Sequence, residues 1–186
     1  FKRWLHSEDH PSMGSLGNGS AMRVSPVGLI AYSLEEALSL AEISARVSHD
    51  HQEGIQGAQA VAAAIYLTRT GSSKQDIKEY ISHTFGYDLN RTCDEIRPTY
   101  KFESGCAKSV PEAIICWLES ETYEETVRKA ISLGGDADTM ACIAGSIAAA
   151  TPSMGVTDFI LQRGYRYLEK EFAETVWAFD NACNKK

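Results

Sequence analysis

The chain has 186 residues, a formal net charge of −7 at pH 7, 44% apolar residues and 23% charged residues. This composition is typical of a folded globular domain, and acidic excess without a basic stripe argues against a nucleic-acid backbone as partner. No apolar stretch reaches the roughly 20 residues that a membrane-spanning helix requires, so we expect no membrane partner. The five cysteines have no Cys-x-x-Cys spacing, which favours a cytoplasmic location over a disulfide framework or a zinc site.

Apolar residues recur at helical spacing along most of the chain, between polar caps and terminating glycines. The predicted helices are 34–47, 54–69, 74–85, 110–119, 123–133, 156–169 and 171–181. Residues 87–106 show no clear period, and we expect them to form a loop over a site. Because no alternating strand pattern occurs, the sequence predicts an all-α fold: a single compact bundle of orthogonal and antiparallel helices spanning 1–186.

The densest set of hard oxygen donors is Leu-Gly-Gly-Asp-Ala-Asp-Thr at residues 133–139, directly before a small-residue helix. In a continuous helix Asp136 and Asp138 would point to nearly opposite sides. The two glycines let the backbone stay non-helical through Asp136, so that both carboxylates and the Thr139 hydroxyl can serve one Mg²⁺ or Ca²⁺ site. The alternative is that one aspartate simply caps the helix.

A second motif, Ser-Leu-Gly-Asn-Gly-Ser-Ala-Met-Arg-Val at residues 15–24, is a glycine-rich turn that runs into an apolar segment. Such turns expose backbone N–H groups, and a following helix adds partial positive charge, so that phosphate groups bind there. The alternative is a purely structural turn, with Met22 in the core.

Taken together, the Gly-Asn-Gly-Ser-Ala-Met-Arg-Val and Gly-Gly-Asp-Ala-Asp-Thr motifs resemble the ADP-ribosylglycohydrolase family. The segment Ser-His-Asp-His-Gln-Glu-Gly at residues 48–54 is similar to the histidine segment of that family. The resemblance covers most of residues 13–150, with the motifs in the expected order. It implies an all-α fold and hydrolysis of the glycosidic bond between ADP-ribose and an acceptor, which is an ADP-ribosylated protein or small molecule.

The resemblance also implies residue roles. Asp136 and Asp138 would be catalytic and, with Thr139, would bind the Mg²⁺ pair of the family. His49 would lie near the diphosphate and ribose; its alternative role is a cap at a helix C-terminus. The residues expected to cradle the diphosphate and proximal ribose are Ser15, Leu16, Gly17, Asn18, Gly19 and Met22. In the loop 87–106, Tyr100 and Phe102 could stack on adenine or could anchor the core.

Family members carry a further N-terminal segment with a Thr-Asp-Asp-Thr run that completes the two-magnesium centre, and this sequence contains no such run. We therefore expect a truncated family domain whose two-ion centre is incomplete. The competing function is a catalytically impaired member or fragment that binds ADP-ribose or a protein partner.

Overall fold

The described part of the chain comprises His6, Glu8 and residues 11–183 of a computed structural model, and helices dominate it. They are α1 (Gly19–Arg23), α2 (Ser25–Ile30), α3 (Leu34–Arg46), α4 (Gln52–Arg69), α5 (Lys74–Phe85), α6 (Cys93–Ile96), α7 (Cys106–Leu118), α8 (Tyr123–Ser132), α9 (Ala137–Ala150), α10 (Asp158–Tyr165) and α11 (Lys170–Cys183). Within those residues the only strand-like feature is an isolated antiparallel bridge between Gly17 and Gly105. The predicted all-α fold is confirmed. None of the helices described there combines the length and apolarity needed to cross a bilayer.

The observed and predicted helix starts agree best where a side chain caps the helix. The hydroxyls of Ser33, Ser73 and Thr122 each accept the N–H of the residue three positions later, at the starts of α3, α5 and α8. Gly86 ends α5 in the left-handed conformation at φ 72°, as a C-terminal glycine is expected to do. The bounds of these three helices match the prediction within one residue, because the signals that set them are local.

Helix α7 corrects the prediction. It begins at Cys106 and not at residue 110, so that Pro111 lies inside the helix rather than in its first turn. A distant segment fixes this start: the Cys106 N–H donates to Leu16 O at 3.0 Å, and the Asn18 N–H donates to Ser104 O at 2.8 Å. Spacing along the sequence cannot reveal such a contact.

The predicted loop 87–106 is also not entirely irregular. It contains the short helix α6, which starts with a reciprocal capping box between Thr92 and Glu95. At the C-terminal end, the predicted helices 156–169 and 171–181 correspond to α10 and α11 with shifted bounds. Neither of these two helices buries a residue, so core packing does not set their limits.

Helix α4 lies at the centre of the fold. It contacts α1, α2, α3, α5, α7 and α9, and its buried face is rich in alanine. Small side chains allow backbones to approach closely. A Cβ at Gly57 of α4 would overlap the Cys106 Sγ and lie 2.8 Å from the Cys106 Cβ. Gly57 therefore sets how closely the start of α7 approaches α4.

We predict that Gly57→Ala destabilises the protein by about 1–3 kcal/mol, because the added methyl overpacks a closed contact. Gly164→Ala in α10 is the control, because a Cβ there would meet nothing within 4 Å. An alanine in a helix is favoured over glycine by up to about 1 kcal/mol. Urea unfolding measures both, and an equal stability for the two variants would contradict the close approach.

Candidate functional site

The Gly-Gly-Asp-Ala-Asp-Thr motif adopts the backbone that the sequence suggested. Gly134 and Gly135 are both left-handed, at φ 80° and 68°, and Asp136 stays outside the helical region at φ −81° and ψ 66°. Helix α9 starts at the next residue. Although Asp136 occupies the N-cap position, its side chain makes no capping hydrogen bond. Capping therefore does not account for this carboxylate.

The Asp138 carboxylate lies beside that of Asp136. Its Oδ1 accepts the Thr139 N–H at 2.9 Å. This hydrogen bond, followed by a hydrogen bond shared with Asp136, holds the pKa of Asp138 below its ordinary value. Asp138 is exposed and Asp136 is half-buried. The Asp136 and Asp138 side chains thus lie at the same end of α9.

The amide of Asn18 joins the two motifs. Its Nδ2 donates to Asp136 Oδ2 at 2.9 Å and also to Ser109 Oγ at 3.2 Å, and only 6% of Asn18 is exposed. Residues 118 positions apart in the sequence are therefore in direct contact. The glycine-rich turn therefore meets the first aspartate of the acidic motif.

Within the turn, several polar backbone groups already have partners. The Gly17 N–H donates to Ser15 Oγ at 3.1 Å, and the Asn18 N–H donates to Ser104 O. The Leu16 side chain is exposed, and Gly19 starts α1. Because the first N–H groups of a helix have no acceptor within it, the partly exposed Gly19 N–H is the one that could meet a phosphate, whereas the next two residues of α1 are buried.

His49 covers the turn. A Cβ at Gly19 would lie 3.0 Å from His49 Nε2, and one at Gly17 would lie 3.6 Å from the same atom. The ring Nδ1 shares a hydrogen bond with Ser48 Oγ at 2.8 Å, and Arg23 donates to that hydroxyl at 2.9 Å. Partial burial, and then the positive charge of Arg23, lower the pKa of His49. The imidazole is thus held against the two glycines, where a ligand of the turn would contact it.

Met22 and Thr139 lie against each other. The Thr139 hydroxyl donates to Met22 Sδ at 3.6 Å, and only 7% of Thr139 is exposed. Met22 itself is 40% exposed, so it is not a core residue, contrary to the structural-turn alternative. In this rotamer the Thr139 hydroxyl faces the thioether, and a role as metal ligand stays a prediction.

Sequence reasoning missed Ser109, which supports this junction, and left two roles open for Tyr100. Ser109, at the start of α7, accepts from Asn18, and Tyr100 packs against Gly135, where a Cβ would lie 2.7 Å from Tyr100 Cε1. The Tyr100 hydroxyl donates to Lys108 O at 3.1 Å, so Tyr100 is an anchor. Phe102 is 72% exposed, and adenine stacking by it stays a prediction. Neither Ser109 nor Tyr100 stands in a recognisable motif, and their role comes only from tertiary contact.

The donor set fits a hard divalent cation only in part. Asp136 supplies carboxylate oxygens that helix capping does not explain, and Asp138 adds a second carboxylate, one oxygen of which accepts an N–H at the start of α9. Oxygen is the donor that Mg²⁺ prefers. Across the described residues, however, no group of three or more His, Cys, Asp or Glu side chains is arranged to hold a metal ion. These residues could therefore bind one ion through two carboxylates, with water filling the remaining positions.

Comparison with known proteins identifies the family. A sequence model of the ADP-ribosylglycohydrolase family matches residues 1–155. The chain belongs to the ADP-ribosylglycohydrolase family. The solved structure of an ADP-ribosylglycohydrolase-related protein complex has the same fold, with a TM-score of 0.75 at 23% identity over 99% of this chain and 66% of that one. The match to the family confirms the resemblance that the two glycine motifs indicated.

Two relatives show how much of a family member this chain represents. It is 30% identical to the ADP-ribosylhydrolase ARH3 of Homo sapiens over 182 residues, which cover 74% of this chain and 50% of the relative. It is 35% identical to an uncharacterized protein of Archaeoglobus fulgidus over 145 residues, covering 69% of this chain and 47% of the relative. This ADP-ribosylglycohydrolase-family chain thus spans about half the length of the curated relatives it matches.

We predict that Gly135→Ala destabilises the protein more than Gly134→Ala does. Both positions are left-handed, where an alanine costs about 1–2 kcal/mol, but a Cβ at Gly134 meets nothing within 4 Å whereas one at Gly135 meets the Tyr100 ring. Overpacking should add about 1–3 kcal/mol at Gly135. Equal unfolding free energies for the two variants in denaturant titrations would show that Tyr100 does not pack on the acidic motif.

Proposed function

We propose that this chain belongs to an ADP-ribosyl hydrolase and contributes the acidic and phosphate-facing parts of its site. The observation that supports this most is the hydrogen bond from Asn18 to Asp136. It holds the glycine-rich turn, suited to a diphosphate, against two carboxylates, suited to a cation beside a ribose. A bundle that served only for packing would need neither element.

The substrate class follows from this pairing. The partly exposed Gly19 N–H at the start of α1 and the carboxylates at the start of α9 suit a ligand that carries phosphate groups and a sugar, as ADP-ribose does. We propose that the whole substrate is an ADP-ribosylated protein or small molecule. Hydrolysis breaks the bond between the anomeric carbon and the acceptor atom and forms a new bond from that carbon to a water oxygen.

The proposed residue roles divide between the two ends of the ligand. Asp136 and Asp138 would hold Mg²⁺ and stabilise the positive charge that develops on the sugar. When bound, the metal would orient ribose hydroxyls and the attacking water. The turn at residues 15–19, with Met22 and His49, lies along the diphosphate and proximal ribose.

A second function deserves a test because the described residues bring together only two acidic ligands. In that alternative the chain binds ADP-ribose or a protein partner and turns nothing over by itself. The expected cytoplasmic location stays a prediction under either function.

We predict that Asp136→Asn and Asp138→Asn each reduce ADP-ribose release by about 100-fold or more, because they remove charge stabilisation and the metal ligands. Asp158→Asn, on the exposed first turn of α10, is the matched control and should keep the parent rate. Chromatography of free ADP-ribose after incubation with an ADP-ribosylated protein, with Mg²⁺ or with EDTA, measures the rates.

Calorimetry with ADP-ribose separates the two functions. Mg²⁺-dependent binding without release supports the binding alternative. A parent chain that neither binds nor releases ADP-ribose would contradict hydrolysis and ADP-ribose binding and would leave only a protein partner. An Asp136→Asn variant equal to the parent would remove this carboxylate from the mechanism.

A further inference from the structure

A fully buried serine lies behind the candidate site, and neither glycine motif includes it. Ser109, on the first turns of α7, has no exposed surface. Its hydroxyl donates to Gly105 O at 2.8 Å and accepts one amide proton of Asn18 at 3.2 Å. The other amide proton of Asn18 goes to Asp136 Oδ2. A directed chain of hydrogen bonds therefore runs from Asp136 through Asn18 and Ser109 to the backbone of Gly105.

The direction of this chain selects one orientation of the Asn18 amide. Because the Ser109 proton is engaged by Gly105 O, the Ser109 oxygen can only accept from Asn18. A flipped amide would place its carbonyl oxygen against that oxygen and against the Asp136 carboxylate, and two acceptors facing each other repel. Only Nδ2 satisfies both neighbours, since it has two protons to donate.

We propose that Ser109 is a positioning residue for the metal-binding carboxylate. This inference rests on the proposed role of Asp136 as a Mg²⁺ ligand. By fixing the Asn18 amide, Ser109 holds Asp136 Oδ2 in place, and the other carboxylate oxygen would be the one available to a cation. Residues that support a metal ligand in this way commonly affect metal affinity without touching the metal.

The consequence of removing the hydroxyl follows from burial. In Ser109→Ala, one buried amide proton of Asn18 loses its acceptor, and an unsatisfied buried donor is costly. The amide then tilts toward other acceptors, and Asp136 loses its fixed partner. Ser109→Thr keeps the hydroxyl, which can still donate to the backbone carbonyl four residues earlier.

The chain offers a close control in Ser120, just beyond the other end of α7. It is also fully buried, and its hydroxyl donates to Cys116 O at 2.7 Å, which is the same backbone contact that Ser109 makes with Gly105. Ser120→Ala therefore removes a comparable buried hydroxyl without removing a contact of Asn18.

The test is Mg²⁺ titration of the intact chain by calorimetry, together with NMR of the Asn18 side-chain amide. We expect Ser109→Ala to weaken Mg²⁺ binding about two- to tenfold relative to Ser120→Ala, the range for one lost hydrogen bond. It should also reduce the solvent protection of the Asn18 amide proton that Ser109 accepts. Ser109→Thr should keep the Mg²⁺ affinity and the protection of the Asn18 amide proton within about twofold of the parent values.

Three other results would contradict the proposal. Equal Mg²⁺ affinity in Ser109→Ala and Ser120→Ala would overturn the positioning role while leaving the metal site intact. A parent chain that binds no Mg²⁺ would overturn the metal role of Asp136 and this inference with it. Unchanged protection of the Asn18 amide in Ser109→Ala would show that Ser109 does not orient Asn18.

Discussion

One buried amide joins the two parts of the site. Asn18 donates to Ser109 on α7 and to Asp136 before α9, so three distant segments meet at a single nitrogen. A buried donor needs its acceptors, and losing one is costly. The glycine-rich turn is therefore coupled to the acidic motif through hydrogen-bonding requirements and not merely through proximity.

Small residues make this meeting possible. Gly57 lets Cys106 approach α4, and the Cys106 thiol in turn donates to Gly17 O at 3.1 Å. Burial raises the pKa of Cys106 to about 11, so this thiol keeps its proton for that bond. Beside the acidic motif, the absence of a side chain at Gly135 leaves room for the Tyr100 ring. Close packing on both sides fixes where the turn and the aspartates lie, as the proposed site requires.

The sequence predicts best where the physical cause is local. The cap at Ser73 and the glycine at 86 set α5, and the two glycines before Asp136 predict a non-helical approach to α9; the structure has both. The sequence predicts poorly where a contact with a distant residue sets the structure. The start of α7 depends on Leu16, and no pattern marks Ser109, because one serine in a helix resembles any other until the partner of its hydroxyl is known.

The most direct test of this account is a double-mutant cycle on Asn18→Ala and Asp136→Ala, measured as unfolding free energy. The hydrogen bond between these side chains predicts that the two losses are not additive. Their coupling energy should be about 1–3 kcal/mol, as for a buried hydrogen bond to a charged group. Losses that add to within about 0.3 kcal/mol would show that the two motifs are independent in solution and would contradict the shared site.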